Sequence, residues 1–186
     1  MSQNSSTFLD ELVDAARGCF ALLTGNRQAP THFDFSQRGL IGSFIAFVIA
    51  SALGAYGSQV FGIQSPPGAA TQALILGGVL FLIQLAVSYL VLRQMGRLDG
   101  FVPFLVADNW ATFFTSILSL GLLLLGLPAD VVIIAIGIVV IIVEINIARL
   151  IVTLPPLQIA MFIVAQLVGS AIGLLLLGGM VAPAAA

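Results

Sequence analysis

Apolar residues along this chain do not alternate with polar ones; they run in long blocks. From Val131 to Val143 every residue is apolar or glycine, and after Glu144, Asn146 and Arg149 the run resumes to Leu154. A stretch of about 24 residues makes about 36 Å of helix, enough to cross a bilayer core of about 30 Å. Its Ile and Val content would suit a buried strand, but its length is far beyond one, so the pattern predicts a membrane helix. Four similar blocks give five predicted spans, at about 40–63, 70–92, 110–127, 131–154 and 157–181. Ser65-Pro66-Pro67-Gly68, Leu127-Pro128-Ala129-Asp130 and Pro155-Pro156 break the chain between them. Residues 101–107, ahead of the third span, are expected to dip into the interface.

Ahead of the spans the periodicity changes. Over residues 7–24, Phe8, Leu9, Leu12, Val13, Ala16, Cys19, Phe20 and Leu23 recur at three- and four-residue spacing, with Asp10, Glu11, Asp14 and Arg17 on the other side. This predicts an amphipathic helix that packs on the bundle or lies in the interface. Thr7 with Asp10 reads as its capping pair and Gly25-Asn26 as its stop. The start is acidic and does not read as a signal peptide. Residues 1–39 form a cytoplasmic N-terminal region and 40–186 a five-helix transmembrane domain. Phe33 and Phe35 in the connector, and Trp110 at the third span, read as interfacial anchors.

Composition agrees. Of 186 residues, 60% are hydrophobic and 8% charged, against about a quarter charged in soluble domains, and the mean hydropathy is +1.16. The fold class is therefore all-α: a polytopic bundle whose first partner is the lipid bilayer. The net charge of -2 and the absence of a basic patch exclude nucleic acid. One Cys and one His exclude a Cys/His metal cage, and no cofactor motif is present. No Gly-x-Ser-x-Gly, HExxH or P-loop pattern occurs, so no enzyme is expected. All six basic residues are Arg; on the predicted topology Arg17, Arg27, Arg38, Arg93, Arg97 and Arg149 fall on one side. The positive-inside rule then places the N-terminus in the cytoplasm and the C-terminus outside, in a bacterial inner membrane.

The informative residues are the polar ones at depth. Gln84, Glu144 and Gln166 fall at nearly the same level of spans two, four and five, so they form a candidate intramembrane cluster. A carboxylate at that depth is costly unless protonated or paired. Glu144 is expected to be neutral and hydrogen-bonded to Gln84 or Gln166, with pairing to Arg149 as the competing arrangement. Helix glue worth about 1 kcal/mol per bond is one role for the cluster; a proton or polar-solute path is the other. Nearer the cytoplasmic side, Arg93, Asp108, Asn146 and Arg149 form a second candidate group, with Asp108 expected to pair with Arg149 or Arg93. Small-residue ladders at Ala46, Ala50, Gly54 and Ser58, and at Ala165, Gly169 and Gly173, predict close helix contacts within the chain, with another copy or with a membrane-protein partner.

The order of a short cytoplasmic segment followed by five tightly looped spans, with the stretches FLDELVDAARGCFALLTGNRQAP, GRLDGFVPFLVADNW and EINIARLIVTLPPLQIAMFIVAQLVG, resembles the Yip (Ypt/Rab-interacting protein) family in its divergent bacterial form. The resemblance implies a non-enzymatic scaffold or membrane-organising protein; eukaryotic members act in membrane traffic and bind small GTPases. It carries over no catalytic residue. The alternative is a small transporter, channel or accessory subunit that uses Glu144 inside the bilayer.

Overall fold

The computed structural model describes residues 8–60 and 66–181. The Thr7 cap, the end of the first span beyond residue 60, and Ser65 lie outside them. The described chain is helical: α1 (Phe8–Leu23), α2 (Gln37–Val60), α3 (Ala69–Gln94), α4 (Phe101–Leu124), α5 (Ala129–Asn146) and α6 (Pro156–Val181). The last five are long and apolar enough to cross a membrane. A wide π turn, Ile147–Ile151, extends α5.

The ends of the helices follow local chemistry. Gly25, Gly96 and Gly126 have φ of 67°, 69° and 82°, the left-handed region where an L side chain is disfavoured. At each, the next residue donates back across the last turn: Asn26 N–H to Ala21, Arg97 to Leu92 and Leu127 to Leu122. These bonds close α1, α3 and α4 by satisfying carbonyls that have no partner inside the helix.

The third span differs from expectation. Residues 101–107 do not dip as a loop; they are the first two turns of α4. Pro103 sits in the first turn, where a missing N–H costs nothing. Trp110 therefore does not reach the interface. It is 1% exposed and packed among Phe8, Phe113 and Phe114, with ring centroids 5.8–6.0 Å apart. Phe33 is likewise buried rather than anchored, set against Gly18 of α1.

Helix α4 is the centre of the bundle. Phe104, Leu105, Val106, Ala107, Trp110, Ala111 and Phe113 are all buried on it. It packs on α2, where Ala46 and Ala50 are buried, and on α5. Helices α3 and α6 pair with one another at the side. Gly169 and Gly173 make that pairing close: a Cβ at either would lie 2.8 Å from a side-chain carbon of α3, on Val87 and Leu80 respectively. Gly54 does not continue the α2 ladder in the same sense, because nothing lies within 4 Å of its missing Cβ. The side chain of Ser58 lies outside the described residues.

Helix α1 packs across α4 and α5 at one end of the bundle. Ala15, Gly18, Ala21 and Leu22 are buried there, with Leu12, Cys19 and Leu23 partly so. Phe20 is not on that buried face; with Leu9 it is 68% exposed. Small residues share that face with Leu12, Cys19 and Leu23 of the predicted apolar row, and Phe8 reaches Trp110 of α4. Asn146 fixes the end of α1: its buried Nδ2 donates to the Leu22 carbonyl at 2.8 Å.

Two outcomes follow. Gly169→Leu should force α3 and α6 apart and cost about 1–3 kcal/mol of stability in detergent, whereas Gly78→Leu, with open space at its Cβ, should be tolerated. Asn146→Leu should strand the Leu22 carbonyl at a cost of about 1–3 kcal/mol and expose the segment after Gly25 to protease. Unchanged protection would show that packing alone holds α1.

Candidate functional site

Matching offsets on antiparallel helices bring two acids together. Asp108 lies seven residues after the start of α4, and Glu144 seven residues before the end of the π turn at Ile151. Because α4 begins at Phe101, Asp108 is carried about 10 Å into the bundle, at 1.5 Å per residue. There its side chain and that of Glu144 line the same cavity in the bundle interior, close enough to interact. An ionised carboxylate only accepts, so a bond between two carboxyl groups requires a proton on at least one of them.

This contact corrects both expected pairings. Asp108 does not pair with Arg149 or Arg93, which are exposed at the end of the bundle. The ion pairs of the described residues are Arg17–Asp14 and Arg97–Asp99. Glu144 does not bond Gln84 or Gln166. Gln84 donates instead to Ser170 of α6, whose hydroxyl donates to the Gln166 carbonyl at 3.0 Å.

Gln84, Glu144 and Gln166 all line a cavity of about 340 Å³ that all five spans border. Asp108, Glu144, Gln84, Gln166, Thr112 and Thr115 supply its polar atoms. Phe47 of α2, Leu80 and Phe81 of α3, Val140 and Ile141 of α5, and Ile163 and Leu167 of α6 supply apolar wall. Two oxygens at this site, Glu144 Oε2 and Gln84 Oε1, are wholly buried and without a hydrogen-bond partner. One turn nearer the α1 end, on the same faces of α4 and α6, Phe104 and Phe162 meet edge to face at 5.1 Å, both buried. They underlie the carboxyl pair with apolar rings.

Toward the other end, Thr112, Thr115, Ser116 and Ser119 continue the polar face of α4 beyond Asp108 at helical spacing. Thr115, Ser116 and Ser119 border a second cavity of about 660 Å³ between α2, α4 and α5, and Thr115 borders both cavities. The row was legible in the sequence as a 3–4 spacing of hydroxyls from Asp108. It was missed because those residues were read only as part of an apolar block.

The second candidate group does not stay together: Asp108 joins the cavity, Arg93 and Arg149 are exposed, and Asn146 is structural. Asn146 holds α1. Arg97, which sequence reasoning did not single out, donates to the Val152 carbonyl and to the Thr153 carbonyl and hydroxyl, at 2.9 and 2.6 Å for the latter two. It thereby closes the end of α5 over Thr153, whose φ of 59° is unusual for a β-branched residue. Asn109 is buried and donates to Ser43 of α2 at 3.1 Å.

A third acid, half-buried, lies at the α1 end. Glu11 of α1 sits over Gly42 of α2, with Oε1 buried and unpartnered. Burial pushes its titration up from the usual 4.5, Asp34 adds to the rise, and Arg38 opposes it. The folded form thus holds this proton to higher pH than the unfolded form. Above about pH 4.5 stability must fall as pH rises through the raised value, where the full cost of ionising Glu11 is reached. Glu11→Gln should therefore tighten α1 at pH 7 and flatten the pH dependence of protease cleavage after Gly25. Looser docking in Glu11→Gln would refute this sign.

No group of three or more metal-ligating side chains occurs among the described residues. No family model, curated protein or solved structure matches this chain.

Proposed function

We propose that this protein is a non-enzymatic integral membrane protein that takes up and releases protons or cations at the Asp108–Glu144 pair, as a small transporter, a channel or the accessory subunit of one. The observation that carries this reading is the meeting of two acids from different spans in a cavity that borders all five, with no basic side chain among its lining. A single ionised carboxylate in this setting costs about 3 kcal/mol. Glue needs no such cost: Gln84 and Ser170 already tie α3 to α6 with neutral groups. The hydroxyl row of α4 gives the pair polar contact with the end away from α1, while Phe104 and Phe162 separate it from the α1 end.

In this reading the α1 end faces the cytoplasm of a bacterial inner membrane and the C-terminus lies outside. All six arginines belong to that end, in α1, at the start of α2, in the connectors and at the ends of α3 and α5.

A scaffold or membrane-organising role of the Yip-like kind is the second reading. One observation favours it: Leu9, Val13 and Phe20 of α1 are exposed, which presents an apolar row to lipid or to a partner helix.

Reconstitution into liposomes under a pH gradient separates the two. Wild-type protein should dissipate the gradient, and Glu144→Gln or Asp108→Asn should reduce flux to that of protein-free liposomes. Both substitutions keep a neutral hydrogen-bonding side chain, so the variants should still fold. Flux absent from wild type, or undiminished in folded variants, would sink the transport reading.

A further inference from the structure

Glu144 Oε2 and Gln84 Oε1 are acceptors, and both lack a donor. Their residues, on α5 and α3, line one cavity, although these two oxygens are themselves covered by protein. A water accounts for about 30 Å³ of liquid, so a space of about 340 Å³ is an order of magnitude more than hydrating one oxygen requires. It lies instead at the lower end of the range of about 300–1,000 Å³ typical of small-molecule pockets.

The lining narrows the chemistry. The polar atoms are concentrated on Asp108, Glu144, Gln84, Gln166, Thr112 and Thr115, while aromatic and aliphatic carbon, with Phe47 and Phe81 in tilted contact at 4.1 Å, forms the rest. A bare inorganic cation needs oxygens on every side and would leave the apolar wall unused. An anion would meet two acids and no basic group. A cation with N–H donors at one end and a hydrocarbon body matches both halves, and an aromatic wall also suits a cation.

Resting on the transport reading above, we propose that the central cavity is a binding site for a small amphipathic organic ammonium ion. Its N–H groups face the polar half of the lining, at Asp108, Glu144 and Gln84, and its apolar body lies against Phe47, Leu80 and Phe81. Among the described residues, Asp108 and Glu144 are the only ionisable groups lining the cavity; the lining of α2, α3 and α6 contains none. Charge balance then sets the exchange: the cation enters, the acid pair gives one proton to water, and one carboxylate faces one ammonium. No bond other than the O–H bond is broken.

The test uses the full chain in detergent, with 2-phenylethylammonium as probe, 2-phenylethanol as its uncharged match, and sodium ion as the inorganic control. Calorimetry in buffers of different ionisation enthalpy counts protons. Wild-type protein should bind the ammonium with release of about one proton, and affinity should rise by up to about tenfold per pH unit while that exchange holds. The alcohol and sodium should not bind. Glu144→Gln should abolish saturable binding, and Gln84→Leu should weaken it severalfold. Phe81→Trp, which fills the apolar half without touching the acids, should block binding even if Glu144→Gln fails to fold. The proposal is overturned if wild type does not bind the ammonium, if it binds the alcohol equally, if sodium alone releases the proton, or if binding survives both Gln84→Leu and Phe81→Trp. Glu144-dependent proton flux in liposomes without ammonium binding would overturn this proposal alone. Ammonium binding without flux would overturn the transport reading and leave the binding site standing.

Discussion

Hydrocarbon offers no hydrogen bonds, so every polar group carried into these spans must find its partner within the protein. The contact between Asp108 and Glu144 is the clearest consequence. It requires α4 and α5 to keep a register in which residues equally far from one end of the bundle stand opposite each other. Much of the remaining packing follows from α4 occupying the centre. One side of α4 faces the polar cavity, and others bury Phe104, Trp110 and Phe113 against neighbouring helices. The hydroxyls obey the same constraint more cheaply. Ser43, Ser51, Ser88, Thr115, Ser116 and Ser170 all donate to a carbonyl one turn earlier in their own helix. They carry polarity into the bundle without exposing an unused donor.

The two ends of the bundle differ. At the α1 end, Asn146 ties α5 to α1, and Arg97 ties the α3–α4 connection to the end of α5. Gly100 tightens the same region, since a Cβ there would lie 2.5 Å from Val152 Cγ1. At the other end α4 and α5 meet through a short turn over Gly126, among exposed leucines. Polar cross-links at one end and apolar contacts at the other give the bundle a fixed base below the carboxyl pair. Motion that opens the cavity is easier at the end away from α1, where the contacts are non-directional and leave no polar group stranded when they slide.

The cavity and the α3–α6 contact show two uses of polarity in one protein. Gln84 donates its amide to Ser170 and so joins two helices, yet its carbonyl oxygen stays unpartnered at the cavity. Glu144 divides similarly between Asp108 and an unpartnered Oε2. Each side chain engages a neighbour with one atom and keeps one buried oxygen without a hydrogen-bond partner.

The sequence by itself determined the five spans and their alternation. Those properties depend on the local density of apolar residues and on helix rise, which no distant contact changes. It also placed Gln84, Glu144 and Gln166 at one depth, and all three line one cavity. Only the tertiary structure decided partners. Hydropathy read Asp108 and Trp110 as the start of a span, because Asp108, Asn109 and Trp110 interrupt the apolar run; helix α4 nonetheless starts nine residues before Trp110, since Pro103 fits a first turn. That shift moves Asp108 from the interface to Glu144 and Trp110 from lipid to core. The face by which α1 docks was hidden for a related reason. Periodicity measures where large apolar side chains point, and only the packed structure shows that Ala15 and Leu22 are buried, that Gly18 lies against Phe33, and that Phe20 stays exposed.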